Sequence, residues 1–326
     1  MSDFYKTPYQ THSAVLFLIF NRPDTTRRVF EQIRAARPER LYISADAPRP
    51  GNPDDELLCR QTKEAVSLID WNCDVKTLFA EENAGCRDGV SSALNWFFEH
   101  EEEGIILEDD CLPANSFFKF CDTLLEKYRF DTRIRHITGC NLQFGKKWGE
   151  ASYYFSNRTH VWGWASWRRV WDDYDLNMEK YSAGEIRNAI KNIYGDDLVA
   201  ESWSNIFNEL KAGIINSWAY PLDFANFLNN GLIIIPNENL ISNIGFSANA
   251  TNTLDQNSVY ANIPLSEINT ITHPQIVLPE KEADLSIMNR DFNIAEKRRK
   301  QNSFKAKIKK LTGSLLKRAA SYMFLQ

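Results

Sequence analysis

The chain has 326 residues, 43% hydrophobic and 25% charged, which is enough apolar material for one large α/β domain or two modest ones and excludes a largely disordered chain. Its formal charge of −5 is unevenly spread: the first 296 residues hold 28 Lys and Arg against 43 Asp and Glu, a balance of −15, while ten basic residues and no acid lie between Lys297 and Arg318. An acidic body of this kind argues against a nucleic-acid-binding domain and points to cation chemistry beside a separate basic tail.

The opening residues MSDFYKTPYQTHS are polar and lack the basic, apolar and small-residue succession of a secretory signal, so the cytoplasm is the expected compartment. The longest early apolar run, Ala14 to Phe20, is about seven residues against the roughly 20 that span a bilayer. Four strands are predicted next, Val15–Phe20, Leu41–Ala45, Val75–Phe79 and Ile105–Glu108, all rich in β-branched or aromatic residues. Between them Thr25–Ala36, Asp55–Ile69 and Gly89–His100 place apolar residues at helical spacing, for example Val29 with Ile33 and Val90 with Leu94 and Phe97. This βαβ succession predicts a mainly parallel sheet flanked by helices. A further helix is expected from Pro113, with Phe117, Phe120, Cys121, Leu124 and Tyr128 on one face and proline in its first turn. Beyond about Arg133 the pattern is mixed α+β, with short strands at Arg135–Thr138, Tyr153–Ser156 and Leu232–Ile235 and helices at Glu185–Ile193 and Leu198–Lys211. The six cysteines form no CxxC or tight pair and read as reduced thiols.

Ligands of an open parallel sheet bind outside the carboxyl ends of its strands, so the residues that follow each strand are read together. They are Asn21-Arg22-Pro23-Asp24, Asp46, Glu81-Glu82-Asn83 and Glu108-Asp109-Asp110. Singly, each also reads as an ordinary polar loop. In GIILEDD a buried strand runs straight into three carboxylates, whose mutual repulsion a divalent cation, Mg²⁺ or Mn²⁺, would relieve. Such an ion can bridge a nucleotide diphosphate and neutralise the charge that develops as it leaves. Asp110 has a second reading as the N-cap of the following helix. A strand ending in acids also fits nucleotidyltransferases and haloacid-type phosphatases. Neither GxGxxG nor GxxxxGK[ST] is present, and no basic phosphate-gripping loop of a nucleotidyltransferase is found.

The segments AVLFLIF–NRPDTTRRVFEQI, LYISAD, GVSSALNWFFEH and GIILEDDCLPANSFFKFCDTLLEKY, followed by Trp162-Gly163-Trp164, resemble the inverting GT-A N-acetylglucosaminyltransferase I-like group and its bacterial relatives over roughly residues 14–250. The resemblance implies one GT-A (Rossmann-like) domain over 1–295, with a nucleotide-binding half (14–132) and an acceptor-side half (133–295). It implies metal-dependent, inverting transfer of a sugar from a nucleotide diphosphate, UDP-linked, to a glycan or lipid-linked glycan hydroxyl in bacterial surface polysaccharide synthesis. By position, Asp110 would hold the metal and Glu108 would contact the donor sugar at the catalytic centre. Asp109 would support the ribose or the metal's waters.

Arg22, beside Asn21, matches an arginine that contacts the nucleotide, and Asp46 an acid that reads the uracil edge, with a turn-forming role as its alternative. Arg87, just before a helix, is a candidate for a phosphate or base. Trp162, Gly163 and Trp164 are expected beside the sugar, whereas Trp167 and Trp171 continue from Trp164 at helical spacing and read as core. His160 reads first as a structural imidazole. Where the relatives carry Trp-Asp, this chain has Trp218-Ala219, which keeps an aromatic at the donor and removes the expected general base. Asp223 is the substitute candidate, with Asp172 and Asp173 as rivals. Asn243, Ile244 and Gly245 open a stretch resembling a loop that closes over nucleotide; Asn249 and Asn252 depart from Asp and His in some relatives. The missing acid also motivates a non-catalytic reading, a nucleotide- or glycan-binding relative at a membrane.

In the tail, Phe304, Ile308, Leu311 and Leu315 recur at steps of four, three and four among basic residues, so 296–326 is expected to form an amphipathic helix. It would lie on an anionic membrane surface or pack against the acidic body.

Overall fold

The computed structural model describes residues 8–246 and 258–303. The run AVLFLI forms β1 (Ala14–Ile19), a strand buried along its whole length. Its alternate residues serve two layers, as the two-residue period of a strand requires. Val15, Phe17 and Ile19 pack with Val29 and Ile33 of α1 (Pro23–Ala36), while Ala14, Leu16 and Leu18 pack with Ala93, Leu94 and Phe97 of α3 (Gly85–His100). With β2 (Arg40–Ala45), α2 (Pro53–Ala65), β3 (Asp74–Phe79) and β4 (Glu103–Glu108), they build a parallel four-strand half in the order β3-β2-β1-β4. The α/β class and the four expected strands are therefore present, with helix starts shifted by a few residues.

Two expectations are corrected next to this half. Pro113 does not open a helix: it ends β5 (Cys111–Pro113), which pairs antiparallel with β10 (Ile241–Asn243). The helix α4 begins at Asn115, runs to Tyr128, and has Ala114 at its N-cap with no side-chain cap, so Asp110 has no capping role. The segment Trp164–Trp167 is a strand, β8, and only Arg168–Trp171 (α5) makes a helical turn. Its tryptophan spacing suits a helix, but β8 fills the gap between β4 and β6 (Ile134–Thr138) and is buried on both faces there. Such burial overrides local periodicity. Trp167 and Trp171 are core residues, as expected.

The complete sheet runs β3-β2-β1-β4-β8-β6-β9-β7, with β7 (Tyr153–Ser156) and β9 (Leu232–Pro236) closing the mixed end. One hydrophobic cluster crosses from Val15 and Ile43 to Tyr153 and Ile234. A second body of core gathers around the fully buried Trp203, from α6 (Ala183–Tyr194), α7 (Asp197–Lys211), α8 (Ala219–Leu228) and α9 (Lys281–Phe292). No helix among the described residues is long and apolar enough to cross a membrane. The tail's apolar stripe from Phe304 onward lies outside the described residues. At its root, Lys297 donates to Ser202 Oγ and Arg298 pairs with Asp196 at the start of α7.

Candidate functional site

A cleft of about 880 Å³ opens at the carboxyl ends of β1, β2 and β4 and is roofed by the segment leading into α8. Its floor is the acidic turn between β4 and β5. Arg22, at the N-cap of α1, turns its guanidinium inward: Nη1 donates to Asp110 Oδ2 at 2.5 Å and lies 3.6 Å from Asp109 Oδ1. The Phe20 amide donates to Asp109 Oδ2 at 3.2 Å, and the Cys111 thiol to Asp110 Oδ1 at 3.5 Å. Burial, then the neighbouring carboxylates, raises Glu108 above the ordinary carboxylate range. Burial raises Asp109 in the same way, with Arg22 opposing and Asp110 adding to it. For Arg22 burial works downward, but Asp109 and Asp110 outweigh it and hold the guanidinium more firmly protonated.

The charged forms of Glu108 and Asp109 are thus penalised at the floor, a penalty that a further cation there would relieve. Among the described residues no three His, Cys, Asp or Glu side chains enclose a metal by themselves. Mg²⁺ and Mn²⁺ take one or two carboxylates and complete their shell with phosphate oxygens and water. The donor set at Asp110 fits that use, because Asp110 lines the cleft floor and its Oδ2 already holds a cation, the Arg22 guanidinium.

Gly245 closes the floor from the side. Its amide donates to Asn243 Oδ1, and a Cβ there would lie 2.2 Å from Asp110 Oδ2 and 2.7 Å from Arg22 Nη1. Asn243 itself lines the cleft. Trp218 does too, stacked at 6.1 Å on Trp164. Trp164 is corrected from a wall residue to a buried support: it is 1% exposed, with His136 stacked beside it at 4.9 Å. Trp162 takes the wall position instead. The reversal between them occurs at Gly163, whose φ of +57° and contact with Ile241 leave no room for a side chain. His160 is buried and neutral, since burial and then Arg158 lower its pKa well below the usual value.

Asp46 reaches the cleft but its carboxylate is already saturated. Oδ1 accepts from the Ala47 and Ala84 amides, and Oδ2 from Asn83 Nδ2 and the Gly85 amide. A carboxylate offers about four lone-pair sites, so Asp46 organises the 83–85 turn and leaves no site for a uracil imide. Asn21 likewise works indirectly, donating to Asp55 Oδ1 at 2.8 Å. Arg87 is turned away from the cleft, bonded to Asp88 and to Asn177 Oδ1. Of Glu81-Glu82-Asn83 only Asn83 lines the cleft.

The substitute base is corrected as well. Asp223 is 4% exposed and both of its oxygens bind Arg158 Nη1 at 2.7 Å, with the Thr159 amide behind, so it belongs to a buried ion pair outside the cleft. Asp173 pairs with Arg135, and Asp172 caps α5; neither lines the cleft. Among the described lining residues the wall leading into α8 consists of Ile215, Asn216, Ser217, Trp218, Ala219 and Tyr220, without a carboxylate. The charged lining residue that the sequence reading missed is Arg49, which appears there only as the middle of a turn-like Pro-Arg-Pro.

The cleft and sheet define an α/β protein with an open cleft at the strand carboxyl ends, where the parallel half meets the mixed half. No protein-family model matches the chain, and no curated protein matches it. Among solved structures, it is similar to a UDP-glucose pyrophosphorylase complexed with UDP-glucose, at 10% identity and a TM-score of 0.31 over 52% of this chain and 81% of the other. An apo UDP-glucose pyrophosphorylase is 8% identical, with a TM-score of 0.37 over 68% of this chain and 90% of that one. HddC from Yersinia pseudotuberculosis is 12% identical, with a TM-score of 0.30 over 50% of this chain and 80% of that one. Likenesses this distant assign neither a family nor an activity.

Proposed function

We propose that this chain moves a sugar from a nucleoside diphosphate, UDP-linked by the sequence resemblance, to a hydroxyl of a glycan or lipid-linked glycan. The observation that carries the reading is the acidic turn at the end of a buried central strand, with three carboxylates and one arginine on the floor of an open cleft. Asp110 would hold Mg²⁺ or Mn²⁺ together with the donor's phosphates, and the ion would supply charge neutralisation to the departing diphosphate. Arg22 is then released from Asp110 to the phosphate oxygens, for which its planar fork is suited. Glu108 would face the donor sugar, and the part-buried Trp162 would offer flat apolar surface against a pyranose, with the buried Trp218 in the wall. Surface polysaccharide synthesis is the process the resemblance suggests.

A second reading is favoured by one observation, the acceptor-side wall without a carboxylate at Ala219 and with Asp223 sequestered. An inverting transfer needs a base for the attacking hydroxyl, and a relative lacking it would bind a nucleotide sugar without turning it over. Thermal-shift measurements with UDP, GDP, CDP and dTDP compounds, with and without Mn²⁺, test the common part of both readings, because ligand binding raises apparent stability. Metal-dependent stabilisation by one nucleotide, absent in Asp110→Ala, is the expected result. Nucleotide release from the corresponding sugar donor then separates transferase from binder. Stabilisation that survives Asp110→Ala unchanged would remove the site.

A further inference from the structure

The cleft contains a cation that neither the acidic floor nor the acceptor wall uses. Arg49 follows β2 and lines the cleft beside Phe20, with its guanidinium carbon 5.6 Å from that ring's centroid. It is held in a fixed plane: Nε and Nη2 make a bidentate pair with Asp55 at 2.5 and 2.8 Å, and the Arg49 amide donates to the same carboxylate. Asp55 is 1% exposed and also accepts from Asn21 Nδ2. The Arg49 guanidinium, aided by Asn21, holds the Asp55 carboxyl down to about 2. Other part-exposed arginines of the chain make similar bidentate pairs, as Arg129 does with Glu103, but Arg49 makes its pair with a buried carboxylate while lining the cleft, and that order is held against side-chain entropy.

The placement matches a nucleotide's length. β2 and β4 lie on either side of β1, so their ends are separated by two interstrand steps, about 10 Å, the reach from a nucleobase across its ribose to the diphosphate. With phosphates at Arg22 and Asp110, the base falls at the end of β2. Asp46 is there but saturated. Asn83 spends its amide hydrogens on Asp46 and the Ala47 carbonyl. The pair with Asp55 engages Arg49 Nε and Nη2 and leaves the Nη1 donors outside it. Arginine has donors and no acceptor.

We propose that Arg49, fixed by Asp55 and Asn21, reads the nucleobase and selects a keto edge, as in uracil or guanine, over an amino edge, as in cytosine or adenine. The inference rests on the nucleotide reading of the cleft and changes its base-recognising residue from Asp46 to Arg49. An N–H fork aimed at a carbonyl oxygen gains a bond with the keto base and meets another donor with the amino base. The discrimination expected from such a contact is about tenfold or more.

Calorimetric titration with the nearly isosteric pair UDP and CDP, the pair GDP and ADP, and inorganic pyrophosphate, all with Mn²⁺, tests it on the full chain. The unaltered protein is expected to favour one keto nucleotide over its amino counterpart by about tenfold, and the tighter of UDP and GDP names the base. Arg49→Lys, which keeps the charge and loses the planar fork, is expected to reduce that ratio below about threefold while pyrophosphate affinity stays constant. Removing Arg49 alone would strand a buried carboxylate, so the second variant is the neutral pair Arg49→Ala with Asp55→Asn, with the same expectation. An unchanged ratio in both variants, or no keto preference in the unaltered protein, overturns the inference and leaves the nucleotide reading standing. If neither pyrophosphate nor any nucleotide binds, both fall together.

Discussion

Where Arg22 meets Asp110, a single contact sets the charge of the cleft floor, and small changes around it carry large effects. Gly245→Ala would place a methyl group within 2.2 Å of Asp110 Oδ2. Metal-dependent nucleotide stabilisation is expected to fall by at least about tenfold in affinity, a misplacement effect of the kind that displaced site groups produce, and titration calorimetry with UDP and Mn²⁺ would reveal it. Asp223→Ala has the opposite signature. It removes the nearer carboxylate from the buried Arg158 and leaves only Asp291 at 3.8 Å, so unfolding free energy should drop by about 3 kcal/mol in denaturant melts, while nucleotide affinity in the folded fraction stays within about twofold of the parent. A selective loss of turnover at unchanged stability would restore Asp223 as the base. At this scale the sequence was readable where a residue's place depends on its own strand: Glu108-Asp109-Asp110 and Arg22 directly follow buried runs and line the cleft. It was opaque where a role depends on saturation by distant donors. Nothing local to Asp46 discloses that Asn83, Ala84 and Gly85 fill its lone pairs, nor does Pro-Arg-Pro disclose the Arg49–Asp55 pair.

Among the elements, the parallel half was legible because β1, β2 and β4 are nearly continuous apolar runs separated by helical periods. The mixed half was not, since β8 and β5 are short and their pairing comes from remote partners. The tryptophans of β8 read as a helix for that reason. Beside them, on β6, His136 is fully buried, bonded through Nε2 to the His160 carbonyl, and burial lowers its pKa to about 4. Its unfolded value is near 6.5, so the unfolded chain takes up the proton first as the solution is acidified. The stability tied to the neutral ring is intact above about pH 6.5 and is lost as pH falls toward 4, an effect of about 3 kcal/mol. Asp284, which burial raises to about 6, acts in the opposite sense, and stability gained from it as pH falls below 6 partly offsets the loss. Comparing urea midpoints of the parent and His136→Gln isolates the ring: the variant should gain on the parent steadily from pH 7 to 4.5. A constant difference across that range would assign the acid sensitivity elsewhere.

Over the whole molecule, charge is divided between a body of −15 and a basic tail. The tail's root is already tied to α7 through Lys297 and Arg298. If the rest meets anionic lipid, the full chain should partition onto phosphatidylserine vesicles at low salt and a chain ending at Glu296 should not, since each basic residue contributes about 1 kcal/mol near such a surface; equal partition in a sedimentation assay rejects the membrane reading. The apolar spacing of the tail was readable, but a face that suits lipid also suits an acidic protein surface, and hydrophobic period does not distinguish them. A further consequence follows from the two-stranded ribbon of β5 and β10. It joins Cys111 to Asn243, the residues that directly follow Asp110 and closely precede Gly245, with the Ile244 amide bonded to the Asp110 carbonyl. The two sides of the floor are thus fastened by one short ladder. A slip of one residue would turn both side-chain patterns over together, so mutational tuning of one strand carries the other with it, and substitutions within the ladder, 111–113 and 241–243, are expected to be tolerated in pairs.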